Sequence, residues 1–178
     1  MHASRARRPL ALAAAAAVGL SLSLAPAASA APDRDGRVTA QGPLEDLSAA
    51  ADPTDGATAT VLARQVGRGG SVVVLRVAGL RPNASGLTLG AHVHEGPCVA
   101  DDGAAAGPHW RTSPDVAPSP DTEVWLDVTP GAGGRATAVA VVPFQIPAGS
   151  AQSVVVHAMP TAPDGGAGAR LACLPVDF

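Results

Sequence analysis

Four histidines fall into three short segments of the chain, and their spacing points to metal chemistry. The segments read HVH, GPH and VVH and contain His92, His94, His109 and His157, while the fifth histidine, His2, lies at the N-terminus. His92 and His94 are two residues apart, so in a strand both rings point from one face. Four neutral imidazoles suit copper(II) in a tetragonal nitrogen field, with zinc as the second metal to consider. Taken alone, the His92/His94 pair is equally consistent with two partly exposed sheet histidines.

Short, valine-rich runs with alternating polarity must position these side chains. They cover residues 58–66, 71–80, 87–95, 122–128, 135–144, 153–159 and 170–176. Such runs, separated by glycine- and proline-rich turns, predict strands. A weaker first strand near residues 37–41 makes eight. We therefore predict an all-β fold, an eight-stranded antiparallel Greek-key β-sandwich or barrel.

The longest irregular stretch of the predicted domain runs from Gly96 to about Asp121 and is rich in proline, glycine, serine and aspartate. Structureless segments of this length inside a domain are usually functional or disordered. Because this one starts beside the HVH segment and carries His109, we interpret it as functional.

The N-terminus has the features of an export signal. Arg5, Arg7 and Arg8 precede an apolar run at residues 10–24, and residues 28–30, Ala-Ser-Ala, offer a cleavage site. The run is short for a membrane span, and no later run approaches the required length. We predict a mature protein without a membrane span, secreted or held in the cell envelope, exported by the general or the twin-arginine route. The predicted division is a signal peptide at 1–30, a flexible lead-in with the weak first strand at 31–55, and a β-sandwich domain at 56–178.

The charge balance argues against nucleic acid as a partner. Removing thirty of the 178 residues leaves 148, with nine arginines, no lysine and fifteen acidic residues, a net charge of −6. Binding nucleic acid relies on neutralising phosphates with many cations.

Two cysteines, Cys98 and Cys173, are present in a chain predicted to be exported. An oxidising compartment favours a disulfide, which would close a loop of roughly 75 residues and stabilise the fold by about 4 kcal/mol. The alternative is a pair of buried free thiols.

Four motifs together resemble the copper-zinc superoxide dismutases. HVHEGPC, AGPHW, SVVVHA and GARLACLPV stand in the order and approximate spacing of that family's HVHE, GPHF, VVH and SRLACGV, over about residues 57–176. The resemblance implies a β-sandwich in which four histidines ligate copper and the two cysteines form the family's disulfide. The ligands it implies are His92, His94, His109 and His157.

The resemblance also gives Arg170 a role, as the arginine that lies over the copper and attracts the anionic substrate. A guanidinium beside an open metal position would bind and orient superoxide. Without the neighbouring motif, Arg170 would be interpreted as a surface arginine at a strand end. His109 would also supply a proton, since imidazoles titrate near neutrality.

Two departures from the family pattern are visible. Residues 111–128 contain no histidine, so the family's zinc site cannot be assembled and zinc is not expected. The loop between His157 and Arg170 has only twelve residues. Both features resemble the copper-only branch of the family, in which a carboxylate orients the histidine that zinc would otherwise hold. The candidate carboxylates are Glu123, Asp127 and, third, Asp121, each of which could instead be a solvated charge on a strand.

The predicted function is an exported, copper-dependent superoxide dismutase that converts superoxide to oxygen and hydrogen peroxide. The rival is a non-enzymatic exported domain of the same fold that binds copper or serves as a structural module. A hydrolase has little support, because no serine lies in a nucleophile-elbow pattern. Superoxide is the expected small-molecule partner, and the sequence leaves the oligomeric state open.

Overall fold

The computed structural model describes residues 28–30 and 36–178. Within these ranges the chain forms nine strands and two short 3-10 helices. The strands are β1 (Ala28–Ala30), β2 (Arg37–Pro43), β3 (Glu45–Asp46), β4 (Thr58–Val66), β5 (Gly70–Ala78), β6 (Ala91–His94), β7 (Arg135–Val142), β8 (Ser153–His157) and β9 (Arg170–Pro175). The 3-10 helices cover Pro82–Ala84 and Gly103–Ala106.

The strands form two antiparallel sheets. The five-stranded sheet has the order β1-β2-β4-β5-β7, and the four-stranded sheet has the order β3-β9-β8-β6. Two separate sheets that enclose one apolar core make a sandwich. The predicted all-β fold class is therefore confirmed, as a sandwich rather than a closed barrel.

The core follows from the alternation seen in the sequence. In β4 as far as Ala63, and along β5, every second residue is buried, and Val61, Val73 and Leu75 are at most 1 % exposed. Facing them across the sandwich are Val93 and Val154, which are also buried. The opposite face of the five-stranded sheet is more exposed, which explains the alternating polarity of its strands.

One predicted strand is not formed as such. The run at 122–128 makes two isolated bridges, Trp125 with His92 and Val128 with Leu89, instead of a continuous ladder. The free edge of β6 is shared: residues 124–128 cover one end, and His109 bridges to His94 at the other. Each segment pairs with β6 through an isolated bridge, so neither forms a regular strand there.

Residues 36–55 contribute one strand to each sheet, β2 beside β4 and β3 beside β9. The division into leader, lead-in and domain stays a prediction, and residues 1–27 of the expected signal peptide lie outside the described residues. Of the helices in the described ranges, none is long and apolar enough to span a bilayer.

Candidate metal centre

Strands β6 and β8 are buried along their whole length, although each has two faces. One face of each strand enters the core through residues such as Val93 and Val154. The other face carries His92, His94 and His157, all at most 3 % exposed. Irregular segments after β6 and β8 cover this outer face, so a layer of imidazoles lies between the four-stranded sheet and its loops.

The fourth imidazole comes from the long irregular segment. His109 forms a bridge with His94, and the flanking residues hold the backbone: Trp110 N–H donates to the Val93 carbonyl at 2.9 Å, and Glu95 N–H donates to the Pro108 carbonyl at 3.1 Å. His109 therefore lies beside the strand-borne histidines, with its side chain 17 % exposed.

The structure brings all four predicted histidines together. One ring nitrogen from each lies within 4.8 Å of the others. Burial is the main cause that lowers the pKa of His92 to about 2, of His94 to about 3 and of His157 to about 4, and neighbouring imidazoles lower it further. These rings are thus neutral at neutral pH, the state in which an imidazole has a lone pair for a metal ion.

Hydrogen bonds determine which nitrogen of each ring faces the centre of the cluster. His94 Nδ1 lies 3.1 Å from the Gly107 carbonyl, and His157 Nδ1 lies 3.4 Å from the Gly168 carbonyl. A carbonyl only accepts, so each Nδ1 carries the proton and each Nε2 keeps its lone pair. The two Nε2 atoms face one another at 3.2 Å. Since neither then holds a proton to donate, this distance is a close approach of two potential ligand atoms.

A buried carboxylate fixes His109. Glu123 is 2 % exposed and accepts from His109 Nδ1 at 3.0 Å and from Trp125 Nε1 at 2.8 Å, both through Oε2. Arg111 Nε lies 3.5 Å from the other oxygen. Of the three carboxylates named from the sequence, Glu123 is the one that contacts His109. The contact leaves His109 Nε2 as the nitrogen available to a metal ion.

The other two carboxylates do not contact His109. Asp121 is exposed and makes no side-chain hydrogen bond to a histidine within the described residues. Asp127 accepts from the backbone N–H of Thr161 at 2.9 Å and from its hydroxyl at 2.5 Å. The Thr161 oxygen in turn lies 2.8 Å from His92 Nε2. Sequence reasoning missed Thr161, because a threonine in a proline- and glycine-rich loop gives no recognisable signal.

The donor set fits a metal ion. His92 Nδ1 is buried without a hydrogen-bond partner, and a buried polar atom of this kind costs free energy unless something satisfies it. Three further ring nitrogens with lone pairs surround it. Four nitrogens and no thiolate or carboxylate favour copper(II), and zinc is also compatible with such a set. A second metal on His109 does not fit, because its Nδ1 is committed to Glu123.

Arg170 lies at the start of β9, opposite His157 of β8. Its Nη1 donates to the carbonyl of Gly103 at 2.5 Å. Gly103 is the first residue of a 3-10 helix in the segment between β6 and His109. The disulfide between Cys98 and Cys173 links this segment to β9, and the predicted bridge is confirmed. The disulfide thus holds the carbonyl that orients the guanidinium, and the charge of Arg170 contributes to the low pKa of His157, after burial.

Solved structures with a similar fold include two relevant chains. The clock protein EA4 is 21 % identical, with a TM-score of 0.53 over 68 % of this chain and 87 % of that one. A point mutant of a SOD-like protein from Bacillus subtilis is 19 % identical, with a TM-score of 0.54 over 78 % of this chain and 97 % of that one. The likeness shows the fold. No protein-family model matches the chain, and no curated protein matches it.

Proposed function

We propose that the protein is an exported, copper-dependent superoxide dismutase. The observation that carries the proposal is the convergence of four ring nitrogens, of which His92 Nδ1 is buried without a hydrogen-bond partner. The Cys98–Cys173 disulfide links the segment after β6 to β9, the strand that begins with Arg170. Bound copper would supply the one-electron chemistry that oxidises one superoxide to oxygen and reduces a second, with two protons, to hydrogen peroxide. The SOD-like neighbour supports the proposal only in that it has the same fold.

Two side chains would handle substrate and protons. Arg170 is partly buried and held by Gly103, so its charge is fixed near the histidines and would attract a small anion. His109 is the most exposed of the four imidazoles, and its Nε2 could take up a proton and pass it to the reduced substrate. The carboxylate of Glu123 would stabilise the resulting imidazolium through Nδ1.

Metal analysis tests the ligand assignment. We expect about one copper and essentially no zinc per purified chain, because four imidazoles form one site and the described residues hold no further histidine for a second. Stoichiometric zinc beside copper would contradict the assignment.

Export is part of the proposal. The Cys98–Cys173 disulfide is consistent with an oxidising compartment outside the cytosol. Sequencing the N-terminus of protein recovered outside the cytosol should give Ala31 as the first residue. Recovery of the uncut chain in the cytosol with both thiols reduced would contradict export.

A non-enzymatic copper-binding domain is the second candidate. The burial of three imidazoles favours it, because only His109 of the four rings has appreciable exposure to a substrate in solution. Pulse radiolysis distinguishes the two functions: an enzyme accelerates superoxide decay in proportion to copper-loaded protein, whereas the metal-free control does not. Tight copper binding without acceleration would identify the binding domain.

Arg170 provides a sharper test. Arg170→Ala should lower the second-order rate constant by a factor of about 10 or more and reduce its dependence on ionic strength, since it removes the steering charge. The matched control is Arg135→Ala, at an exposed arginine on β7 in the other sheet. Equal rates for both variants would exclude Arg170 from substrate attraction.

A further inference from the structure

The loop between β8 and β9 folds back tightly over the metal centre. Ala158 N–H donates to the Ala169 carbonyl at 2.8 Å, and Met159 N–H donates to the Ala167 carbonyl at 3.0 Å. These bonds extend the β8–β9 pairing beyond the strands and carry Thr161 to the outer edge of the cluster. Its place therefore depends on backbone hydrogen bonds as well as on its own side chain.

Gly90 allows this close approach. A Cβ built on Gly90 would lie 2.8 Å from the Met159 carbonyl and 3.1 Å from Thr161 Oγ1. The backbone of Gly90 also donates to Met159 at 2.8 Å and accepts from His157 N–H at 2.7 Å. A glycine at this position lets the loop lie directly against the start of β6.

The hydrogen bonds of Thr161 to Asp127 determine which atom is the donor in the contact between Thr161 and His92. An ionised carboxylate only accepts, and Asp127 takes both the backbone N–H and the hydroxyl proton of Thr161. A hydroxyl has one proton, so the Thr161 oxygen can only accept in its 2.8 Å contact with His92. The proton in that contact must therefore belong to His92 Nε2.

This direction determines the tautomer of His92. With its proton on Nε2, the neutral ring has its lone pair on Nδ1, which is the buried atom without a partner. The other three rings carry their protons on Nδ1 and face the centre with Nε2. His92 is thus the one ring of the four oriented in the opposite sense.

We propose that Thr161 is a positioning residue for the metal centre: held by Asp127, it fixes the tautomer and orientation of His92 so that this ring binds through Nδ1. The inference rests on the copper site of the proposed function and adds to it a residue from the short loop. Partners that orient a ligating histidine typically change metal affinity by about 10–100-fold when they are removed.

The experiment compares Thr161→Val, which keeps the shape and removes the hydroxyl, with Thr161→Ser, which keeps the hydroxyl. Thr161→Ala is a second hydroxyl-free variant in case valine does not fold. The control is Thr129→Val, because the exposed Thr129 also hydrogen-bonds through its hydroxyl, to the partly buried Thr88 at 2.8 Å.

Two readouts decide the outcome, and neither is activity. Long-range nitrogen–proton NMR of the full, metal-free protein should show His92 as the Nε2–H tautomer in the wild type, Thr161→Ser and Thr129→Val, and a tautomer mixture in the hydroxyl-free variants. Titration with copper(II) against a competing chelator should show a Kd about 10-fold or more higher in the hydroxyl-free variants, with rescue by serine.

An unchanged His92 tautomer and copper Kd in Thr161→Val or Thr161→Ala would overturn the inference. Failure of the proposed function is distinguishable from this. A wild type that binds copper without dismuting superoxide leaves both readouts intact, and a wild type that binds no copper still reports the tautomer.

Discussion

Replacing the buried carboxylate beside His109 tests how this proposed ligand is held on its loop. Glu123→Gln keeps the shape of the side chain and removes its charge. Because His109 and Trp125 both donate to Oε2, a glutamine that places its amide oxygen there keeps both hydrogen bonds. Its amide N–H₂ then faces Arg111 Nε, which loses its contact with Glu123, whereas Arg111 Nη1 still donates to the Val116 carbonyl.

The expected loss of stability follows from these three contacts. Hydrogen bonds to a charged group contribute about 1.5–3 kcal/mol and neutral ones about 0.5–1.5 kcal/mol, so each of the two retained bonds loses about 1 kcal/mol. The Arg111 contact is at the solvent edge and contributes less than about 1 kcal/mol. We therefore expect the free energy of unfolding of the metal-free protein to fall by about 2–3 kcal/mol.

Urea denaturation followed by circular dichroism measures this loss. The control is Glu95→Gln, at an exposed glutamate beside His94, which should change the free energy of unfolding by less than about 0.5 kcal/mol. Copper affinity should fall by about 10–100-fold in Glu123→Gln and stay constant in the control. Equal stability and equal copper affinity for Glu123→Gln and the wild type would refute the role of this carboxylate.

Three further predictions concern the fold around the site. In the metal-free protein, the pKa values of the three buried histidines lie below the ordinary 6.5. As the pH falls from about 6.5 towards 4, these histidines therefore bind protons in the unfolded state but not in the folded state. The free energy of unfolding should fall by up to about 1.4 kcal/mol per pH unit for each of them, and a stability that is flat in this range would contradict their burial as neutral rings. Replacing both cysteines by serine should cost about 4 kcal/mol in urea denaturation, and reductant should then have no further effect on the variant. Gly90→Ala should cost about 1–3 kcal/mol, because the new methyl would lie 2.7 Å from Ala167 Cβ and 2.8 Å from the Met159 carbonyl. Gly69→Ala, at a position with open space, is its control, and equal stabilities would show that the loop yields freely.

The sequence predicted which histidines lie together better than it predicted their hydrogen-bond partners. Alternation fixes the face on which strand residues lie, so His92 and His94 could be assigned to one face in advance. Adding His109 and His157 to that pair relied on the confinement of the histidines to three short segments and on the family resemblance, since neither periodicity nor composition specifies how a loop crosses a sheet. The structure places one ring nitrogen from each of the four within 4.8 Å of the others.

The carboxylates show what the sequence could not predict, namely which side chain each of them contacts. Glu123, Trp125 and Asp127 alternate along one run, which predicts a shared face but not their partners. In the structure Glu123 accepts a hydrogen bond from His109. Asp127 accepts from the Thr161 hydroxyl, whose oxygen contacts His92. Asp127 was one of three alternatives for the carboxylate that orients His109, and in the structure it bonds Thr161 of the β8–β9 loop instead. The position of this loop depends on long-range packing against Gly90, which no local pattern encodes.

The four imidazoles are not held in equivalent ways, and the difference bears on the proposed chemistry. Three lie on strands β6 and β8, where sheet hydrogen bonds and burial fix their backbones. His109 lies on a loop, is the most exposed of the four and depends on the Glu123 carboxylate for its orientation. In the proposed reaction His109 would carry a proton on Nε2, and for this its ring would need both freedom to move and one fixed nitrogen. Nδ1 of His109, bonded to a buried carboxylate, is such a nitrogen, whereas moving any strand-borne ring would disturb a sheet that is packed on both faces.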